Sequence, residues 1–248
     1  VQTSTLTRQL LAAAMLFGAG MTPALAASDG WDWAVAPYLW ATAISTDAQV
    51  RGQPVGSEAD FGDIVDKLDM AFLLHAEGQG DQFGLMADYI FLGVSDDSSR
   101  DNFDLDAALD TTIFELAGVW SPGEERYAGF EAIAGLRYIN IEADLKFDLT
   151  DPAAPDQRRT LEKSFTDAML GARYTASLSE RWSMTLRGDG SFGDSEGGYN
   201  ASAMFQYRTG GGFWALGYRY LSVELETGSG ESVDLTVSGP IVGYAFKF

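Results

Sequence analysis

The residues able to do chemistry in this chain are few, and their spacing matters more than their number. A single histidine, His75, is followed at every second position by Glu77 and Gln79, so in an extended segment all three share one face. Such a histidine could serve as the base of a hydrolytic site. That chemistry needs a nucleophile or a paired carboxylate beside it at an accessible rim, and no spacing singles out one serine. The expectation for His75 is a hydrogen-bonded residue of a polar interior, and no enzymatic activity is expected. Zero cysteines and one histidine exclude a thiol nucleophile, a disulfide framework and any cysteine-ligated or multi-histidine metal centre. No cofactor and no resident metal are expected. The segment SDDSSRDNFDLD (95–106) offers Asp96, Asp97, Asp101, Asp104 and Asp106, oxygen ligands of the kind calcium takes. It lacks the fixed glycine and terminal glutamate of an EF-hand loop and reads as a solvated acidic loop.

The remaining chemistry is electrostatic. Glu77, Asp88, Glu115, Glu131, Asp167 and Asp189 alternate with apolar residues along their segments, and so do Arg137, Arg173, Arg187, Arg208, Arg219 and Lys247. Six acids and six bases therefore share polar faces. Enclosed in a narrow interior, unpaired charges would be costly, so this set together with His75 is expected to form a paired network. A lining of one sign would instead mark an ion-selective pore. Outside the set, the chain is strongly acidic, with 36 Asp and Glu against 16 Lys and Arg and a net charge of -20. Nucleic acid is excluded as a partner, since phosphate binding needs a basic surface.

The elements that must position these residues are strands. From Trp31 onward apolar residues recur at period 2, most clearly where Phe130, Ala132, Ala134, Leu136 and Tyr138 oppose Glu131, Ile133, Gly135, Arg137 and Ile139. The segments are longer than globular strands, which usually have about 5 or 6 residues. Aromatics stand at the ends of the apolar faces, at Trp31, Trp33, Trp120, Tyr127, Trp182 and Trp214, where an interfacial girdle is expected. Short turns at 80–81, 121–126, 179–181 and 209–212 alternate with longer loops at 47–68, 95–104, 146–160, 193–198 and 226–231. Ten strands follow, near 31–45, 69–79, 82–94, 105–120, 127–145, 161–178, 182–192, 199–209, 213–225 and 234–248, with eight the alternative count. The fold class is thus all-β: a transmembrane antiparallel up-and-down β-barrel with short periplasmic turns and longer extracellular loops. Its lumen is expected to be filled by side chains, since barrels of about 8 strands have little interior space.

Several local expectations complete the reading. Residues 1–26 form a secretory signal, with Arg8 ahead of a short apolar run and Ala24-Leu25-Ala26 at the cleavage site, leaving 27–248 as the barrel. Phe61, Ile64, Val65 and Leu68 have helical spacing in the first loop, with Asp60 as N-cap, though a loop packed on itself fits equally. Asp151 to Pro155 reads as a loop tip. The opposed parity of Leu235 and Val237 against Val242, Tyr244 and Phe246 suggests a bulge at Gly239-Pro240.

A last strand of alternating aromatics, Tyr244, Phe246 and Phe248, resembles the carboxyl-terminal signature of Gram-negative outer-membrane barrels. The whole of 27–248 resembles the small-barrel group typified by the transmembrane domains of OmpA and OmpW. The segments WDWAVAPYLWATAI (31–44), FGDIVDKLDMAF (61–72) and GLMADYIFLG (84–93) are similar to those of a proteobacterial outer-membrane family with no assigned substrate and no catalytic residues. The resemblance implies an outer-membrane location and recognition of the terminal strand by the barrel-assembly machinery. Outer-membrane lipid and lipopolysaccharide are the expected surroundings, and a monomer is expected. The functional expectation is a structural or interaction role through acidic loops. A narrow passive channel is the alternative, and a barrel hydrolase using His75 the third reading.

Overall fold

A computed structural model of the chain describes residues 30–50, 53–100, 103–123, 125–149, 157–226 and 232–248. The expected signal segment lies outside them, as do Asp101, the tip at 151–155 and the side chains of Asp96, Asp97 and Asp104. Strands β1 (Asp32–Trp40) and β2 (Ala43–Val50) are one stave interrupted at residues 41 and 42. Strand β3 (Gln53–Ala59), helix α1 (Phe61–Asp66) and β4 (Leu68–Gln79) form the second. The other eight staves are β5 (Phe83–Arg100), β6 (Phe103–Trp120), β7 (Gly129–Leu149), β8 (Gln157–Ser177), β9 (Trp182–Gly193), β10 (Gly197–Arg208), β11 (Gly212–Glu226) and β12 (Ser232–Lys247). Each pairs antiparallel with its neighbours, and β12 closes on β1 and β2. The result is a closed, ten-stave up-and-down barrel, which leaves no long sheet edge unpaired.

Side-chain parity follows from closure. The outward face is apolar and solvent-accessible in the isolated chain. Leu85, Leu116, Phe130, Leu136, Leu170, Tyr174, Phe205 and Leu216 all stand exposed, an arrangement that is costly in water and favourable in lipid. Trp120, Trp182 and Trp214 ring this band at the short-turn end, with Trp31 stacked on Trp33 beside them. At the opposite end Phe72 meets Tyr89 and Tyr199 meets Tyr220, completing a second girdle that the sequence reading did not pick out. Short turns and both strand termini share one end, which in such barrels faces the periplasm.

The outer end differs from expectation. Much of what reads as loops at 95–104 and 146–160 is ladder: β5 and β6 pair to Arg100 and Phe103, and β7 and β8 to Phe147 and Gln157. At 21 residues each, β7 and β8 are far longer than the roughly 9–11 residues a bilayer crossing needs. Beyond the lipid both faces meet water, so the alternation that marks a strand fades while backbone pairing continues. Next to this tall wall, β9 and β10 are 12 residues each. Helix α1 forms with a reciprocal cap, Asp63 N–H on Asp60 Oδ1 at 3.0 Å and Asp60 N–H on Asp63 Oδ2 at 3.2 Å, and buries Ile64.

The expected bulge at Gly239-Pro240 is absent, because β11 and β12 keep register from Glu226–Ser232 through Gly212–Phe246. Leu235 and Val237 simply face inward, against a buried layer of Trp40, Leu73, Ile90, Ile113, Ile139, Phe165, Leu221 and Val223. The irregularity of register lies instead between Leu68 and Met70.

Candidate functional site

The lumen contains three layers along the barrel axis. Uppermost, towards the long hairpins, is the apolar layer around Ile113, Ile139 and Phe165. Below it, two steps along each strand, lies the first tier of charge. Glu115 on β6 accepts hydrogen bonds from Arg137 Nε at 3.0 Å, Arg187 Nη2 at 2.8 Å and Arg219 Nη2 at 2.8 Å. Asp189 takes Arg137 Nη2 at 2.5 Å, Arg187 Nε at 2.8 Å and Asn200 Nδ2 at 2.8 Å. Asp88 takes Arg219 Nη1 at 2.8 Å and the Tyr38 hydroxyl at 2.9 Å. Arg137 and Glu115 have no exposed surface at all. Gly171 makes the crowding possible, since a Cβ there would collide with Asp189.

A second tier lies nearer the periplasmic end. Arg173 forks onto Glu77, with Nη1 at 2.8 Å from Oε2, and onto Glu131, with Nη2 at 3.0 Å from Oε1. Gln79 donates to Glu77 at 2.8 Å and also to Glu131. His75 connects the tiers, with Nε2 3.4 Å from Glu77 and Nδ1 3.8 Å from Asp88. Bidentate guanidinium–carboxylate geometry of this kind satisfies several donors per side chain and is what makes buried charge tolerable.

Three members of the expected charge set, and one of the expected girdle, stand elsewhere. Asp167 is buried but turns to serines: it accepts from Ser191 Oγ at 3.1 Å, Ser195 Oγ at 2.5 Å and Ser195 N–H at 3.0 Å. Arg208 and Lys247 have inward parity but sit exposed at the barrel's mouth, below the buried carboxylates of the two tiers, and neither makes an ion pair among the described residues. Lys247 instead lies 4.5 Å from the centre of the Tyr127 ring. Tyr127 is not a girdle residue. Its backbone is left-handed, φ 58°, which carries the ring under the barrel, where its hydroxyl donates to the Asp32 carbonyl at 2.5 Å. The same turn is pinned by Arg126, 3.3 Å from Asp32 and 2.8 Å from Asp81. Its hydrogen bond to Asp81 pushes the Arg126 guanidinium pKa up.

The lumen is not filled throughout. Met86, Ala117, Val119, Ile133 and Met169 pack the β5–β8 side below the first tier. Across from them a cavity of about 950 Å³ opens at the periplasmic end, between the hydroxyls of β8–β10 and the small residues of β1 and β12. Its floor is Tyr38, Asp88, Arg187 and Arg219, and His75 stands in its wall. No serine bonds to His75 among the described residues, and no cluster of three or more His, Asp or Glu side chains there is disposed to hold a metal ion.

Closed topology, an apolar outer band, two aromatic girdles and a polar lumen define an outer-membrane β-barrel. One solved structure agrees on the fold, and two others are similar at lower scores. The outer-membrane protease OmpT of Escherichia coli aligns with 89% of this chain and 97% of its own, at 10% identity and a TM-score of 0.54. Ail, the attachment invasion locus protein of Yersinia pestis, covers 88% of this chain and 100% of its own, at 11% identity and a TM-score of 0.41. Neisserial surface protein A covers 89% and 100%, at 13% identity and a TM-score of 0.31. No family model and no curated protein matches the chain.

Proposed function

We propose that this protein is a non-conducting outer-membrane barrel whose role is carried by its projecting outer rim, as a structural or interaction protein. The carrying observation is the double seal: Glu115, Arg137 and Asp189 interlock with Arg219 from the opposite wall directly beneath an apolar layer. Ions crossing it would have to break buried ion pairs and then enter a region without polar partners. The tall β5–β8 wall supports a role in contact, since paired backbone holds its hairpins out beyond the bilayer. Lipopolysaccharide and the cations it binds are the proposed surroundings of the rim, and the barrel-assembly machinery the proposed reader of Tyr244, Phe246 and Phe248. His75 stands beside Glu77 and Asp88 within the charge network, which supports a structural reading of it.

The test is single-channel recording of folded protein in a planar bilayer, with folding confirmed by heat-dependent gel mobility. A silent bilayer is expected, and discrete current steps would overturn the proposal. One observation favours the alternative of a narrow channel: the periplasmic cavity leaves only part of the lumen's length to seal.

A further inference from the structure

The inner cavity has a composition that its structural role does not explain. A space of about 950 Å³ lies within the size of small-molecule sites, roughly 300–1,000 Å³. It is blind, because its floor is the Arg187–Glu115–Arg219 tier, so whatever enters from the periplasmic side must leave the same way.

Its mouth brings two cations together. Arg208 pairs across the ladder with Phe213, Phe213 with Ala245, and the Lys247 N–H donates to the Gly211 carbonyl at 3.1 Å. The two cations therefore stand on the strands either side of Phe213, near one level and lining the cavity, with Lys247 over the Tyr127 ring. Among the described residues neither is in an ion pair, in a chain whose net charge is -20 and whose deeper arginines are paired with carboxylates. Of the carboxylates at the mouth, Asp32, on the strand next to Lys247, and Asp81 are bound to Arg126, while Glu125 and Glu180 also line the cavity. Farther in, one wall is hydroxyl and amide. Thr175 and Thr185 bond to each other at 2.8 Å, and Ser183 donates to Gln206 Oε1 at 2.9 Å, which leaves the Gln206 amide hydrogens for another partner. The facing wall is smooth, built from Ala34, Ala36, Gly243 and Ala245.

We propose that this cavity is a binding site, entered from the periplasm, for a small carboxylate-bearing, hydroxyl-rich solute of the uronic-acid class. The carboxylate is held between Arg208 and Lys247, where charge-assisted hydrogen bonds are strongest. The hydroxyls face Gln206 and its neighbours, while the apolar ring face of the sugar lies on the alanine–glycine wall. The site needs no conduction through the barrel and stands apart from the rim.

The probe is D-glucuronate, titrated calorimetrically into the folded protein in lipid nanodiscs that leave both ends open, with D-glucose and inorganic phosphate alongside. Saturable binding of glucuronate is expected, with glucose and phosphate each weaker by about tenfold or more, as loss of charged hydrogen bonds predicts. In the Arg208→Gln/Lys247→Gln variant, whose changes lie at the exposed mouth, glucuronate binding falls to the level of glucose while heat-dependent gel mobility is kept. A second variant, Ser202→Leu, narrows the interior without touching the cations, and there phosphate binding survives while glucuronate binding is lost. Equal binding of glucose, equal binding of phosphate, unchanged binding in the double variant, or no glucuronate binding would each overturn the proposal. None of these outcomes depends on whether the bilayer recording is silent.

Discussion

Glu115 Oε1 and Arg219 Nη2 lie 2.8 Å apart, although 104 residues separate them in sequence. They join staves on opposite sides of the barrel, β6 to β11, so the ion pair is a strut across the lumen's diameter. Glu115 is also the one carboxylate shared by Arg137, Arg187 and Arg219. Removing it takes one carboxylate from each of three guanidinium groups, leaving Asp189 to Arg137 and Arg187 and Asp88 to Arg219. Glu115→Ala is therefore expected to lower stability by about 3–5 kcal/mol, the cost of breaking a buried pair from one side. Arg208→Gln, at the exposed mouth, is expected to change it by less than about 0.5 kcal/mol. Urea unfolding in detergent micelles, followed by gel mobility, reads both. Equal effects would mean that the tier contributes no more than a surface charge.

The seal is layered, and its layers are separable. With Glu115→Ala/Arg219→Ala the charged tier is opened, but Trp40, Ile113, Ile139 and Phe165 still close the passage above it. Planar-bilayer recording of that double variant is expected to remain silent. Adding Trp40→Ala and Phe165→Ala should produce current steps, because an aqueous path then runs from the periplasmic cavity to the outer rim. Steps from the charge variant alone would show that the apolar layer does not seal.

Much of this architecture is legible in the sequence because lipid enforces it. A residue that alternates out into hydrocarbon must be apolar, so inward parity of Glu77, Glu115, Glu131, Arg137 and Arg173 follows from their neighbours. Parity fixes a face but not a height. Arg208 and Lys247 share the right face, yet they stand at the mouth, outside ion-pair distance of the buried carboxylates. Asp167 also points inward, but its partners come from the serines of a neighbouring strand and short loop, which no alternation announces. The inner apolar layer was hidden for the opposite reason: an apolar residue is ordinarily read as lipid-facing, so inward Leu235 and Val237 suggested a bulge. Tyr127 departs through its backbone, because a left-handed turn residue followed by Gly129, φ 74°, redirects a ring that spacing places in the girdle. The tall β5–β8 wall lies beyond the lipid, where nothing enforces a pattern.

Asp167 makes the β9–β10 connection a latch. Its carboxylate holds the Ser195 N–H and hydroxyl, and the Asp194 carboxylate returns to the Thr166 N–H at 3.0 Å. On the other flank the Glu196 N–H donates to the Glu224 carbonyl at 3.0 Å. Asp167→Ala leaves the Ser195 groups without their acceptor and is expected to cost about 1–3 kcal/mol. The loss should appear as faster amide exchange and protease cleavage at residues 194–196, with exchange at Glu115 and Arg137 unchanged. If exchange rises equally throughout the barrel, Asp167 belongs to the charge network after all.

At the other end, Tyr127 provides a pH dependence. Burial, reinforced by the Glu77 carboxylate, pushes its phenol pKa well above the ordinary tyrosine value, which is about 10. The folded protein thus keeps the proton that the unfolded chain releases. The stabilisation this represents is complete below about pH 10 and is lost progressively as pH rises from there through the folded value. In alkaline titration of the folded protein, Tyr127→Phe is expected to leave the phenolate absorbance that develops near pH 10 unchanged, since Tyr127 does not ionise there. The same variant should show a shallower decline of stability on the alkaline side than the parent. A loss of one tyrosine's absorbance near pH 10 would mean that the phenol is solvated and that the turn from β6 to β7 stands clear of the mouth.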